Sequence, residues 1–81
     1  MIRLTLYTRT DCHLCDEMHA VIDDVARDFD VALEQIDVDA DPTLAATYGN
    51  DVPVLAVNGH PTFKHRVDAP TLRTRLAKEK G

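Results

Sequence analysis

Leu6-Tyr7-Thr8-Arg9-Thr10-Asp11-Cys12-His13-Leu14-Cys15 is the stretch whose reading decides the fold. It passes from an alternating apolar segment, through a polar loop, into a closely spaced pair of cysteines. On the amino-terminal side, Ile2, Leu4 and Leu6 alternate with Arg3 and Thr5, and Tyr7 follows. This period of two predicts a strand over about residues 2–7. The loop Thr8-Arg9-Thr10-Asp11 offers helix caps. Beyond it, Leu14, Met18, Val21, Ile22, Val25 and Phe29 recur at helical spacing, with Asp16, Glu17, Asp23, Asp24 and Arg27 on the polar face. The pattern predicts a helix over about residues 12–28, with early acids suiting the positive end of its dipole.

Further out, Val31 to Val38 reads as a second strand, with Ile36 and Val38 in phase. A strand–helix–strand run of this length implies a right-handed parallel crossover. Asp41 can cap a short helix that begins at Pro42, carries Leu44 and Tyr48 on one face, and ends at Gly49 in the left-handed conformation. Pro53 to Val57 reads as a third strand. Asn58-Gly59 is a two-residue hairpin signal, because both residues tolerate positive φ. Thr62 to His65 is the expected return strand. Asp68 then caps a last helix carrying Leu72 and Leu76, with Arg73, Arg75, Lys78 and Lys80 toward its negative end. The order is β-α-β-α-β-β-α, an α/β fold, expected to form one domain over residues 1–81. No repeat, linker or low-complexity segment interrupts it.

At 81 residues the core is small, since a chain of this length buries about 60–65% of its unfolded surface. The net charge of −5 argues against a phosphate-backbone binder, so no nucleic-acid partner is expected. The charge is uneven: between Asp11 and Asp51 lie twelve acids and one base, Arg27, whereas Lys64 onward carries six bases against Asp68 and Glu79. This reads as a solvated acidic face opposite a basic last helix, or as a field that steers a partner. No apolar run approaches membrane-spanning length, so no membrane partner is expected. Arg3 and Thr5 interrupt the apolar start, which therefore lacks a secretory-signal pattern. The expected location is the cytoplasm, and a monomer is expected.

The cysteines carry the chemistry. A bridge between Cys12 and Cys15 closes a tiny loop and removes little entropy from the unfolded chain, so it is a poor structural staple. A C-x-x-C at the mouth of a helix that follows a strand is instead a redox signal. Free amide hydrogens of the first turn favour a thiolate at Cys12, in a position that brings thiols from a pKa of about 8.5 into the range of roughly 3.5–7.5. The thiolate is the species that attacks disulfides. Cys15, one turn further in and near the apolar stripe, should be less exposed and less ionised. Cys12 is then the attacking residue and Cys15 the resolving one.

The stretch from Leu6 to Cys15 resembles the active-site segment of glutaredoxins, and the element order is similar across nearly the whole chain. Cys-His-Leu-Cys-Asp-Glu, the Asp-Val-Asp-Ala-Asp-Pro run and Val52-Pro53-Val54 resemble small bacterial glutaredoxin-like C-x-x-C proteins. The resemblance implies a glutaredoxin-type thioredoxin fold: a four-stranded mixed sheet flanked by three helices. It also implies a cis peptide between Val52 and Pro53, facing the thiols and leaving the Val52 backbone free to pair with an extended substrate. The implied function is thiol–disulfide oxidoreduction on a protein or glutathione mixed disulfide, with no bound cofactor.

This chain departs from glutaredoxins in three places. His13 and Leu14 stand where proline and tyrosine are usual. An imidazole beside the nucleophile would stabilise its thiolate and make the couple more oxidising, or would simply face solvent. Arg9 falls where a lysine often meets a glutathione carboxylate, and a guanidinium could make a two-pronged contact there. Phe63-Lys64-His65-Arg66-Val67-Asp68 replaces the usual glycine pair, and its side chains oppose close backbone approach. Two reductants therefore stay open, glutathione and a flavoprotein reductase. A rival reading is a metal or iron–sulfur site: Cys12, Cys15 and His19 fall at C-x-x-C-x-x-x-H spacing, with His13 nearby, but a structural zinc normally needs four ligands.

Overall fold

The computed structural model describes residues 1–80; Gly81, the last residue of the expected domain, and the side chain of Lys80 lie outside the described residues. The elements in chain order are β1 (Ile2–Thr8), α1 (His13–Ala26), β2 (Val31–Asp37), a 3-10 turn (Val38–Ala40), α2 (Pro42–Tyr48), β3 (Val54–Val57), β4 (His60–Lys64) and α3 (Ala69–Lys80). The strands form one sheet in the order β2-β1-β3-β4. β1 is parallel to β2 and antiparallel to β3, and β3 is antiparallel to β4. The fold is the expected four-stranded mixed sheet with three helices.

Alternation in β1 decides which way the sheet faces. Ile2, Leu4 and Leu6 point to one side with Leu55 and Val57 of β3, and there they meet Met18, Ile22 and Val25 of α1 and Leu72 and Leu76 of α3. Each such side chain taken fully out of water stabilises the fold by about 1.5–3 kcal/mol. On the opposite face, Tyr48 of α2 stacks on Tyr7 of β1 with ring centroids 4.4 Å apart. With both faces covered, all four residues of β3 are buried. That is why Val54 to Val57 reads as an unbroken apolar run rather than an alternating one.

Local signals set the ends of the elements, with two corrections. Asp41 accepts the Thr43 N–H at 2.8 Å and Pro42 opens α2, while Asp68 accepts the Thr71 N–H at 2.8 Å to start α3. For α1, however, the cap is Cys12 itself, not a residue of the Thr8–Asp11 loop. Asp11, at φ 59°, turns the chain so that the cysteine reaches the helix mouth. Gly49 is also not left-handed: at φ −54° it continues the helical path, and its N–H bonds to the Ala45 carbonyl at 2.9 Å. Its lack of a side chain serves close approach instead, because a Cβ there would press on that carbonyl.

The β3–β4 turn is the two-residue hairpin foreseen, with Asn58 at φ 50° and Gly59 at φ 88°. It is tight enough that β4 begins at His60 rather than Thr62, with His60 paired to Val57. Pro61 lacks an N–H, but β4 is an edge strand with an irregularity in its pairing, where proline is tolerated. Asn58 also extends the β1 pairing: its side-chain oxygen accepts the Arg3 N–H at 2.9 Å, and its own N–H donates to the Arg3 carbonyl at 2.7 Å. A Cβ on Gly59 would meet open space, so only the backbone conformation opposes one. Gly59→Ala is therefore expected to lower stability by about 1 kcal/mol, read from the urea unfolding midpoint.

Candidate active site

Pairing register gathers the site at one end of the sheet. Tyr7 lies opposite Val54 and Val54 opposite Lys64, so the end of β1, the start of β3 and the end of β4 are neighbours. The loop leaving β1 delivers Cys12 to the start of α1. The Val52–Pro53 peptide, entering β3 at this same end, is cis, as the resemblance implies. The Pro53 carbonyl accepts the His65 N–H at 2.8 Å, which ties the proline loop to the segment leaving β4.

Cys12 and Cys15 are joined by a disulfide, with Cα atoms 5.2 Å apart. Cys15 is 3% exposed and sits in the apolar stripe of α1, whereas Cys12 is only partly buried. The Cys12 sulfur accepts the Cys15 N–H at 3.1 Å, taking one of the unpaired donors of the first turn. His13 is the first residue of α1 and is exposed; Leu14 is partly buried. Thr8, the last residue of β1, is buried, and its hydroxyl donates to the Ile36 carbonyl at 3.4 Å.

Arg9 makes a two-pronged contact, but with the chain itself. Its Nε and Nη2 donate to the Asp39 carboxylate at 3.2 and 2.8 Å, and its Nη1 donates to the Gly49 carbonyl at 2.9 Å. The hydrogen bond and charge of Asp39 raise the pKa of the guanidinium. Arg9 thus ties the active-site loop to the 3-10 turn and to the end of α2. Close by, burial raises the pKa of the Tyr7 phenol, with smaller contributions from Tyr48 and Glu34. Asp68 is held below its ordinary value by its hydrogen bonds to Thr71, consistent with its capping role.

Of the residues weighed for metal, Cys12 and Cys15 are joined to each other in the disulfide. The His19 ring nitrogen Nδ1 lies 3.2 Å from Asp23, one turn along α1. Among the described residues, no group of three or more His, Cys, Asp or Glu side chains is placed to hold a metal ion. Among them, too, no helix is long and apolar enough to cross a membrane. The Pro53–His65 link was missed from sequence: it spans two strands and uses backbone atoms, so no side-chain signal marks it.

A mixed four-stranded sheet, a C-x-x-C cysteine pair at the mouth of its first helix and a cis-proline at the same sheet end define a thioredoxin-fold protein. The family model described as "Glutaredoxin-like domain (DUF836)" matches residues 3–77, and the chain belongs to that glutaredoxin-like family. Among solved structures it is similar to the structural genomics target XcR50 from X. campestris, at 39% identity over 93% of this chain and 96% of that one, with a TM-score of 0.78. Protein Ne2328 from Nitrosomonas europaea is similar at 28% identity, covering 91% and 89% of the two chains with a TM-score of 0.78. A mutant thioredoxin from Halobacterium salinarum is similar at 26% identity over 95% of this chain and 73% of its own, with a TM-score of 0.70.

The Arg9 network is open to a direct test. Arg9→Ala is expected to lower the urea midpoint, and Arg9→Lys to recover only part of it. A lysine is a single point donor and cannot bridge Asp39 and the Gly49 carbonyl as the planar fork does.

Proposed function

We propose that the protein is a thiol–disulfide oxidoreductase that cycles between a Cys12/Cys15 dithiol and the disulfide seen here. The observation that carries this reading is the asymmetry of the pair at the start of α1, with Cys12 partly exposed and Cys15 buried. In the dithiol form, first-turn N–H groups and the positive helix end favour the thiolate at Cys12. That thiolate attacks one sulfur of a substrate disulfide; a Cys12–substrate bond forms, and the other substrate sulfur leaves as thiolate. Cys15, deprotonated, then attacks the Cys12 sulfur and releases the second substrate thiol. The substrate gains two electrons and the protein is left as the disulfide. Val52, just outside the β3 ladder, offers its backbone to an extended substrate, and Pro53 fixes the path of the chain there.

No cofactor is required for the exchange itself. Electrons return to the pair from a reductant, glutathione or a flavoprotein reductase. A turnover of this kind suits the reducing cytoplasm, where an isolated cysteine pair is more often catalytic than structural.

Cys12→Ser is expected to abolish reduction of peptide disulfides, and Cys15→Ser to accumulate a mixed disulfide on Cys12, visible by intact mass. Full dithiol turnover by Cys15→Ser would overturn the assignment of roles. Supplying glutathione with glutathione reductase in one assay and a flavoprotein thioredoxin reductase in another identifies the donor.

His13 is the tuning residue of this proposal. As the first helical residue it occupies a position where proline is well tolerated, so His13→Pro removes the imidazole without opposing the helix. The reduction potential is expected to become more negative, with about 30 mV corresponding to a tenfold change in equilibrium. An unchanged potential, measured by equilibration with a glutathione redox buffer, would remove His13 from the mechanism.

A further inference from the structure

The cysteine loop and the proline loop reach the same end of the sheet, but both loop tips lie beyond the strand ladders. Pairing of β1 with β2 ends at Thr8 against Asp37, and β3 begins only at Val54. Arg9, Thr10 and Asp11 are exposed, so burial does not hold the residues that deliver Cys12. Asp11 reverses the chain at φ 59°, and the direction in which Cys12 leaves that turn depends on where Arg9 is fixed. On the other side, no residue of α2 is fully buried, although α2 leads through Gly49 to Val52 and Pro53. Sheet registration brings the two tips together without fixing either one.

One side chain spans the gap. The Arg9 fork takes the Asp39 carboxylate with Nε and Nη2, and the Gly49 carbonyl with Nη1. Both anchors are themselves held. Asp39 donates its N–H to the Asp37 carboxylate at 2.9 Å, and Asp37 stands opposite Thr8 at the end of the β1–β2 ladder. Gly49 is buried, and beyond it the Asp51 N–H closes a turn on the Tyr48 carbonyl at 2.8 Å. Thr10 and Asp11 alone separate the guanidinium's own residue from Cys12, and Asn50, Asp51 and Val52 alone separate its carbonyl anchor from Pro53.

We propose that Arg9 is a positioning residue whose fork sets the cysteine loop against the proline loop, so that Cys12 meets both the first-turn N–H groups of α1 and a disulfide lying along the Val52 backbone. The inference rests on the oxidoreductase reading above. In this role Arg9 acts through the two loops and not by contact with the reacting sulfurs. Rate is the sensitive measure of such a restraint. An exposed ion pair adds little stability, whereas a shift of about 1 Å at the reacting atoms can cost on the order of a hundredfold.

The test follows the reduced protein in two measurements, with folding of each variant checked by circular dichroism. One is the pH midpoint for alkylation of Cys12. The other is single-turnover oxidation by an extended peptide disulfide and by hydroxyethyl disulfide, which is too small to pair along Val52. Arg9→Ala is expected to raise the alkylation midpoint and to slow the peptide about tenfold, with a smaller loss for hydroxyethyl disulfide. Arg9→Lys recovers only part, because one ammonium cannot serve both anchors as the fork does. Asp39→Ala separates geometry from charge. Removing an acid by charge alone lowers the midpoint, whereas loosening the fork raises it, as in Arg9→Ala. Arg73→Ala breaks an exposed arginine–aspartate pair elsewhere and is expected to change neither measurement. Where Arg9→Ala does not fold, Arg9→Lys and Asp39→Ala are read by the same criteria. Wild-type behaviour of the Arg9 variants, or opposite shifts in the Arg9 and Asp39 variants, overturns the positioning role and leaves the oxidoreductase standing. A wild-type protein that reacts with neither disulfide overturns both readings.

Discussion

The first turn of a helix carries amide hydrogens with no partner in the helix, and in α1 one of them is satisfied by sulfur. The Cys15 N–H points at Cys12 Sγ, so the atom that caps the helix is the atom proposed to do the chemistry. Capping by an ordinary serine or aspartate would satisfy the same donor. Placing sulfur there instead means that, in the dithiol form proposed above, helix capping and thiolate stabilisation would share one interaction. The rest of the molecule serves to hold that helix start in place: Met18, Ile22 and Val25 clamp its apolar stripe against the sheet.

β1 is the element that makes the clamp possible. As a central strand it pairs on both sides, with β2 in parallel and β3 antiparallel, and its register with β3 decides what meets the cysteine loop. A slip of one residue would turn Leu4 and Leu6 to the α2 face and bring Tyr7 into the α1–α3 core. The buried faces forbid that slip. The neighbourhood of Cys12 and Pro53 is thus a consequence of hydrophobic registration, with no direct bond between the two segments needed to explain it.

The acidic character of residues 11–51 is partly consumed internally. Asp39 is paired to Arg9, Asp41 caps α2 and Asp37 accepts the Asp39 N–H, so these carboxylates organise the segment between β2 and α2. Asp28, near the carboxyl end of α1, pairs with Arg73 of α3, joining the acidic and basic parts of the chain. Exposed ion pairs of this kind add little stability each. Their effect is positional: Arg9, the cation of the loop before Cys12, is committed to Asp39.

The elements were legible in the sequence because their causes are local. Alternation in β1, the helical stripe from Leu14 to Phe29, proline after Asp41, and Asn58-Gly59 each act within a few residues, and so does the spacing of Cys12 and Cys15. Sequence alone therefore determined the order of elements, the cysteine pair and which end of α1 holds it. It did not determine the job of Arg9, whose partners are 30 and 40 positions away, or the conformation of Gly49 that presents one of them. Nor did it show the Pro53–His65 bond. Those depend on which distant segments the folded sheet sets side by side, and only burial of the two sheet faces settles that.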